Sequence, residues 1–392
     1  MFRTLSHVAS QSQGTATARR QFARIICAAL ALLLLIQPVG AWAQAGFVHP
    51  GAMNSAERLD AVAARLAKGQ EPWASALREV TDLAEPRLSA IGRIDSRVRA
   101  EAQASKRLAN STYAHALVWR LTGSEPHGRE ALRLLDGWAG FTGFTGRTDQ
   151  DKLLAGWLGS LLGEAAEIMR QHPRWKARRK NALQAMFRRS FYPHLEQASP
   201  WNGNVDLTQV NALLAIAVFN EDRAAFDLGV ERLERRSIAY FYLQSAGTPP
   251  PIDGDGGNIS AFWFHPVRWV DGLTQETCRD NGHHAQFGLA SALHAAEIAW
   301  NQGVDVYARQ APRYVAAMEL LSQQLLTGDM QGTCANTAAT RNIFDTFEVG
   351  FHHFHHRLGM ELPHTQRLII EHVRPHGVSE WNIFHETLTH AE

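Results

Sequence analysis

Long apolar stripes with a helical period constrain the fold of this 392-residue chain more than any other feature. The clearest stripe runs from Leu153 to Met169, where apolar side chains recur every three or four residues, and Pro173 follows soon after it. A similar stripe ends at Leu121, just before Gly123, and Gly359 follows the last stripe as a helix-ending glycine. Further stripes occupy the ranges 205–219, 224–233, 285–300, 308–326 and 344–358.

Alternating patterns of the β type are rare in this chain. The range 237–243 fits a strand, and it fits the continuation of a helix equally well. Long successive helices joined by short loops favour antiparallel helix pairs. No low-complexity linker or block of charge divides the chain. The pattern therefore predicts an all-α domain with little or no β structure.

The first 43 residues have the order of a secretory signal. Four arginines and no acidic residue accompany the apolar run Ile25 to Val39, and the small residues Ala41 and Ala43 follow it. The apolar run is short for a membrane span, and the pair Arg19-Arg20 also fits a twin-arginine signal. We expect cleavage near Ala43, export to the periplasm or the medium, and one domain over residues 44–392. A retained membrane anchor is the alternative.

The charge of the mature chain limits its partners. Removing the four arginines from 39 basic residues leaves 35 against 38 acidic residues, which gives a net charge near −3. No overall positive field then exists to hold nucleic acid or an anionic membrane surface. We expect neither partner after signal cleavage, and an acidic ligand must be met by local clusters of cations. The oligomeric state stays open.

Two cysteines, Cys278 and Cys334, remain after signal cleavage. In an oxidising compartment they either form a disulfide, which would brace the segment around residue 278, or stay as buried thiols. Their separation in sequence does not decide between these alternatives.

The densest group of chemically active side chains lies in residues 275–284. The carboxylate of Glu276, the guanidinium of Arg279 and the imidazoles of His283 and His284 directly precede a helical stripe. Scaffolds often present catalytic groups at such loop-to-helix junctions. The spacing allows Glu276 to orient an imidazole, and Arg279 suits two-point binding of a carboxylate.

Asn204 and the histidine-rich range 348–357 supply further candidates. Asn204 stands just before a helical stripe, so its amide either binds an anion beside the helix N-terminus or only caps the helix. In the second segment, His353 and Arg357 are four residues apart and share a face of a helix.

Four blocks follow one another along the chain: Phe47-Val48-His49-Pro50-Gly51, Trp201-Asn202-Gly203-Asn204, the range 276–284 and the range 348–357. Together they resemble the alginate lyase superfamily of polysaccharide lyases. The resemblance implies a single α/α toroid that cleaves a uronic-acid polysaccharide, such as alginate, by β-elimination. The toroid rests on this resemblance more than on the pattern, because the sequence shows no repeat of fixed period. We expect no cofactor.

β-Elimination needs a group that neutralises the uronate carboxylate, a base for the C5 proton and an acid for the departing O4. In our hypothesis, Asn204 and Arg279 neutralise the carboxylate. His283, His284 or His353 takes the proton, and Glu276 orients the imidazole. The hypothesis requires that the segments 276–284 and 348–357 line one groove together with Asn204.

Other side chains are expected to bind the substrate. The tryptophans can stack on sugar faces and the arginines can hold carboxylates. This set consists of Trp201, Asn202, Tyr113, Trp263, Arg268, Trp269 and Arg357.

The chain departs from the superfamily at one position that matters for chemistry. Where the pattern Glu-x-x-Tyr-Asn-His is common, this chain has Phe351 and His352. Phenylalanine cannot move a proton, so a histidine or another phenol must do so. Tyr113, Tyr240 and Tyr242 are the available phenols, and we favour a histidine.

Three other functions fit parts of the sequence. His352, His356 and Glu348 can be drawn as ligands of a catalytic zinc ion. Glu276, Asp280 and Glu348 can be drawn as the carboxylates of a glycoside hydrolase. A periplasmic protein that binds oligouronates without cleaving them would also explain Phe351.

Overall fold

Helices in two layers make up the part of the chain that the computed structural model describes, which is residues 46–200, 203–251, 256–377 and 385–392. Residues Phe47–Glu392 form one compact unit. In chain order the helices are α1 (Ala56–Leu66), α2 (Trp73–Leu83), α3 (Arg99–Thr122), α4 (Glu125–Ala139), α5 (Asp149–Met169), α6 (Ala177–Ser190), α7 (Tyr192–Leu195), α8 (Gly203–Asn220), α9 (Arg223–Tyr240), α10 (Ile259–Phe262), α11 (His283–Asn301), α12 (Val306–Thr327), α13 (Glu348–Phe351), α14 (Pro363–Leu368), α15 (Arg374–His376) and α16 (Glu386–His390).

The inner layer consists of α3, α5, α8 and α11, each packed against the next. Every residue of α8 is buried, which explains why its sequence is apolar all round rather than on one stripe. Helices α5 and α8 approach so closely that a Cβ atom on Gly156 would lie 2.7 Å from Thr208, and one on Gly163 would lie 2.8 Å from Ala215. The second contact lies further along the chain in both helices than the first. These two inner helices are therefore parallel.

The outer layer consists of α4, α6, α9 and α12. Helices α4, α9 and α12 each pack against the inner helix that precedes them, whereas α6 packs mainly against α4. These helices are amphipathic. Helix α12, for example, buries Tyr307, Tyr314 and Leu321, while Arg309 is exposed. Within the described ranges the backbone forms isolated β-bridges but no strand. The predicted all-α class is confirmed.

Two predicted boundaries differ from the structure. The ambiguous range 237–243 is helical as far as Tyr240, where α9 ends. The stripe predicted over 344–358 becomes helical only at Glu348, because Phe347 has a left-handed backbone (φ 85°). From His352 to Arg357 the helix continues as a wider π-helix, and Gly359 follows with a φ of 68°.

No helix within the described ranges is both long and apolar enough to cross a membrane. The predicted signal, residues 1–43, and the expected cleavage site near Ala43 lie outside those ranges.

A buried carboxyl group between inner helices makes the stability of the fold depend on pH. Glu164 of α5 accepts hydrogen bonds from the Met53 backbone and from the Asn54 amide, which also donates to Tyr113 Oη at 2.9 Å. Burial raises the pKa of Glu164 to about 7, since these hydrogen bonds only partly offset the loss of solvent. The group is therefore protonated in the folded chain at a pH where it is ionised in the unfolded chain.

We expect Glu164→Gln to remove this pH dependence. The stabilisation from the protonated carboxyl is complete below pH 4.5 and is lost as the pH rises through about 7. A glutamine does not ionise, so the variant gains on the order of 3 kcal/mol relative to the parent between pH 5 and pH 8. Urea unfolding at both pH values measures the gain, with the exposed Glu361→Gln as control. Parallel pH curves for parent and variant would refute the assignment.

Candidate active site

Glu276 lies at the centre of a buried hydrogen-bond network. Its fully buried carboxylate accepts bonds from the Asn204 backbone N–H at 3.0 Å and from the Asn204 side-chain amide at 2.7 Å. Tyr240 Oη donates at 3.0 Å, and Arg279 Nη1 donates at 2.8 Å. The carboxylate thus occupies the N-terminus of α8, where free backbone N–H groups attract an anion.

This network changes the predicted role of Glu276. The sequence-based hypothesis has Glu276 orienting an imidazole, whereas the structure has it orienting Asn204 and Arg279. The helix N-terminus predicted to receive the substrate anion is filled by the protein's own carboxylate. The neighbouring side chain reinforces this arrangement, because Gln275 Oε1 accepts the Gly203 N–H at 2.7 Å.

Tyr240 supports this network rather than facing a substrate. Its ring is fully buried. Burial raises the pKa of the phenol well above its usual value, and the negative charge of Glu276 raises it further. The phenol therefore stays protonated and keeps donating to Glu276.

Asp280 and His284 form a hydrogen-bonded pair at the start of α11. The Asp280 carboxylate accepts the His284 backbone N–H at 2.9 Å and also contacts Nδ1 of the ring. Burial alone would raise the pKa of Asp280, but the bonds from the His284 ring and backbone outweigh it and lower the pKa. An ionised Asp280 fixes the Nδ1–H tautomer, which leaves Nε2 of His284 as a proton acceptor. The two side chains are 31% and 29% exposed, so solvent reaches them.

His283 is adjacent to this pair. Its ring centroid lies 5.4 Å from that of His284 and 5.0 Å from that of Phe344, with which it makes an edge contact. The segment that carries Phe344 is fixed by Gln286, whose amide bonds to Asn342 O at 2.9 Å and to the Phe344 N–H at 2.9 Å. The start of α11 therefore holds both imidazoles in a rigid setting.

Cys278 and Cys334, whose pairing the sequence left open, form a disulfide. The bridge connects the 276–284 segment to the loop of residues 329–340. In the same loop, the Thr340 N–H donates a hydrogen bond to Asn281 O at 2.9 Å. Covalent and hydrogen-bonded links therefore brace the segment that carries Arg279 and Asp280.

We expect reduction of this disulfide to lower both stability and activity. The bridge joins two cysteines that are 56 residues apart in the sequence, and a cross-link of this kind stabilises a fold by about 2–4 kcal/mol. Urea unfolding with and without a reductant measures the loss. The double variant Cys278→Ser and Cys334→Ser should match the reduced protein and show no response to reductant. An unchanged midpoint on reduction would contradict the expectation.

The aromatic side chains predicted to stack on sugars pack mainly on one another. Trp263 is 1% exposed, and its ring centroid lies 4.9 Å from that of Trp269 and 6.5 Å from that of Tyr242. Trp263 is therefore not available to a substrate, because its faces are covered, while Trp269 is partly exposed. Trp201 and Asn202 lie outside the described residues.

Arg268 lies close to the disulfide. The neighbouring Val267 N–H donates to Thr333 O at 2.8 Å, and Arg268 Nη2 donates to Gln331 O at 2.8 Å. Its side chain is exposed beside the residue that precedes Cys334. The structure thus places this cation on the same side of the unit as the 276–284 segment.

The second predicted segment of the site, residues 348–357, lies at the other end of α11. The His353 ring centroid is 4.9 Å from that of Trp300 and 3.7 Å from that of Tyr307. His283 and Trp300 are about 25 Å apart at 1.5 Å per residue along this helix. His353 and Arg279 therefore do not line one groove with Asn204, and the hypothesis that the segments 276–284 and 348–357 form one site is wrong.

The surroundings of His353 also exclude it as the base. It is 1% exposed, and burial lowers its pKa to about 4, with a further contribution from the positive charge of Arg357. Arg357 itself is held by two bonds to Glu297, at 2.8 and 2.6 Å, so it is not placed to bind the substrate. Phe351 is buried and stacks on His355 with centroids 4.7 Å apart.

Tyr113 is a core residue. It is fully buried, it receives a hydrogen bond from Asn54, and its ring stacks on His385 with centroids 5.8 Å apart. The prediction that Tyr113 contacts the substrate is wrong for this reason.

The zinc ligands drawn from the sequence are not assembled. Glu348 accepts two bonds from Arg374, at 3.0 and 2.8 Å, and one from Thr387 at 2.7 Å, so its carboxylate is already occupied. Across the described ranges, no group of three or more His, Cys, Asp or Glu side chains is arranged to hold a metal ion.

The sequence analysis did not predict the supporting roles of Tyr240 and Gln275, nor the pairing of Asp280 with His284. Asp280 and His284 are four residues apart at a helix start, and that spacing was a usable signal for their contact. Tyr240 and Gln275 carried no such signal, because their contacts with Glu276 and Gly203 arise only when α8, α9 and the 276–284 segment pack together.

Comparisons with known proteins relate this chain to alginate lyases. The family model described as alginate lyase matches residues 84–240, which include Asn204 and Tyr240. No curated protein sequence matches the chain. Alginate lyase A1-III from Sphingomonas species A1 is similar in structure, with a TM-score of 0.58 and 14% identity, over 82% of this chain and 92% of that chain.

Variants of the same lyase are similar to a comparable degree. A histidine-to-alanine variant without ligand has a TM-score of 0.61 at 15% identity, over 89% of this chain and 98% of that chain. The same variant in complex with a tetrasaccharide has a TM-score of 0.60 at 15% identity, over 82% of this chain and 92% of that chain. The structural likeness confirms the predicted α/α toroid, and the family match confirms the resemblance noted in the sequence.

Proposed function

We propose that this chain is a member of the alginate lyase superfamily and cleaves a uronic-acid polysaccharide, alginate or a related polyuronate, by β-elimination. The observation that carries the proposal is the Asp280–His284 pair beside Arg279, at the junction where α8 and α11 begin. It supplies a base and a carboxylate-binding cation on one segment.

His284 serves as the base. Asp280 holds the Nδ1–H, so the unprotonated Nε2 faces away from the carboxylate and can accept the C5 proton. The ionised Asp280 also stabilises the imidazolium that forms, as the aspartate does in other carboxylate–histidine pairs. Partial exposure lets a substrate reach the ring.

Arg279 neutralises the uronate carboxylate, which makes the C5 proton acidic. One of its N–H groups donates to Glu276, and the guanidinium keeps further donors for a two-point contact. Its side chain is 25% exposed, whereas Glu276 is fully buried, so the exposed edge of the guanidinium is the one that a substrate meets. Asn204 has a second amide hydrogen besides the one that it donates to Glu276 and can assist.

The departing O4 needs a proton. Protonated His284 supplies it when the C5 hydrogen and O4 leave from the same face of the sugar. In that case one imidazole removes the C5 hydrogen and returns it to O4, so no second acid is required.

The same geometry disfavours the hydrolase alternative. A hydrolase needs a protonated carboxyl that reaches the glycosidic oxygen and a second carboxylate across the bond. Glu276 is fully buried and accepts four hydrogen bonds, and Asp280 is held ionised by His284. Neither carboxyl group is free to donate a proton to a substrate.

We place this activity in the periplasm or the medium. The support is the order of arginines, apolar run and small residues in the first 43 residues, together with a disulfide that suits an oxidising compartment.

Incubating the mature protein with mannuronate-rich, guluronate-rich and glucuronate polymers tests the proposal. We expect a rise in near-ultraviolet absorbance, because β-elimination leaves an unsaturated uronate at the new end, and a chelator should not prevent it. New reducing ends without absorbance would show a hydrolase. Binding without either product would show a non-catalytic sugar-binding protein.

A further inference from the structure

An aromatic ring that the sequence did not single out stands beside the proposed carboxylate-binding group. The Arg279 guanidinium lies over the Phe264 ring, 5.8 Å from its centroid. Phe264 is 36% exposed, which is unusual for a large apolar side chain next to a buried polar network. We propose that Phe264 is a sugar-stacking residue, which binds the apolar face of a uronate residue at or next to the one held by Arg279. This inference rests on the proposed lyase function.

The backbone that holds the ring in this exposed position is strained. Phe264 and His265 both have left-handed backbones, with φ values of 58° and 55°. Two successive residues in this region are uncommon for non-glycine side chains, and such conformations concentrate at functional sites. A less strained backbone would turn the ring elsewhere.

The loop around Phe264 is anchored to the active segment on both sides. On one side, Gln275 Nε2 donates to Phe262 O at 3.0 Å while Gln275 Oε1 accepts the Gly203 N–H. On the other side, the Val267 N–H donates to Thr333 O, next to the disulfide. Trp263 is buried beneath the loop. A ring held in this way loses little conformational freedom when a sugar binds.

The neighbouring Trp263 does not compete with Phe264 for a sugar. Trp263 is enclosed by Trp269 and Tyr242 and offers no free face. The pyranose ring of a uronate has an apolar C–H face, and an aromatic ring beneath that face leaves the carboxylate free to reach the adjacent guanidinium. Phe264 and Arg279 together match one sugar that is apolar on its face and anionic at its edge.

Steady-state kinetics of Phe264→Ala on a polyuronate test this inference. We expect KM to rise by about three- to tenfold with kcat within a factor of two, because the stacking contact acts on binding more than on proton transfer. Phe264→Tyr, which keeps the ring, should restore KM. Val267→Ala, on the same loop and 65% exposed, is the matched control and should behave like the parent.

The outcomes separate this inference from the lyase proposal. An active parent whose KM does not change in Phe264→Ala overturns the stacking role and leaves the lyase function standing. A parent without activity on any polyuronate overturns the function itself. A Phe264→Ala variant that loses several degrees of Tm, with KM not restored by Phe264→Tyr, shows a structural ring and also overturns the stacking role.

Discussion

Replacing His284 by glutamine lowers kcat/KM on a polyuronate by about 10²- to 10⁴-fold, the usual size of a lost general base. The loss follows because Nε2 of His284 is the proton acceptor that Asp280 orients. Thermal unfolding should change little, since the side chain is 29% exposed. Initial rates of near-ultraviolet absorbance, together with a melting curve for each variant, measure both effects.

Two further variants make this test specific. Asp280→Asn keeps the imidazole but removes the charge that fixes its tautomer, so kcat should fall by a smaller factor than in His284→Gln. His376→Gln, at an exposed position elsewhere, is the control and should retain the parent rate. His353→Gln discriminates between the two ends of α11. Full activity per folded molecule supports the site at His284, and a loss as large as that of His284→Gln would instead support a site at the segment 348–357.

Removing the carboxylate of Glu276 should damage both folding and catalysis. Glu276→Ala leaves Arg279 without its partner and leaves the Asn204 and Tyr240 donors unsatisfied in a buried setting. Breaking a buried pair in this way costs about 3–5 kcal/mol. We expect kcat/KM to fall by at least about 10²-fold, because Arg279 is no longer fixed where the uronate carboxylate binds. Urea unfolding and absorbance assays measure the two losses.

The matched control for this variant is a surface pair. Glu371 bonds to Arg367 four residues earlier, and both side chains are largely exposed. Glu371→Ala should change the stability little, because the pair is exposed to solvent, and should leave the rate unchanged. Equal destabilisation by the two variants would mean that the network around Glu276 contributes no more than an exposed ion pair.

The fold could be predicted from the sequence to a large extent. The apolar stripes from Leu153 to Met169 and over 205–219 predicted helices, and α5 and α8 form there. Their burial on nearly all sides was not predicted. Gly123 was predicted to end a helix and does so with a left-handed backbone. The range 344–358 was less well predicted, because nothing in its pattern signals the left-handed backbone of Phe347 or the π-helical turn at 352–357.

The site was predictable only where its contacts are local. The 276–284 segment was identified because its charged and imidazole groups are close in sequence. The role of Glu276 was predicted wrongly, since its partners Asn204 and Tyr240 are brought together by packing between helices. The helix face shared by His353 and Arg357 was also predicted, and Arg357 Nη1 does lie 3.2 Å from His353 Nδ1. The spacing did not reveal that this face meets Trp300 at the far end of α11 rather than the groove at its start.

A crystal structure of His284→Gln with a bound oligouronate tests the location of the site most directly, because the variant should bind the sugar without cleaving it. We expect one uronate carboxylate within hydrogen-bonding distance of Arg279, with the C5 atom of that sugar facing residue 284. An oligouronate bound at the opposite end of α11, beside His353 and Arg357, would contradict the assignment of the active site.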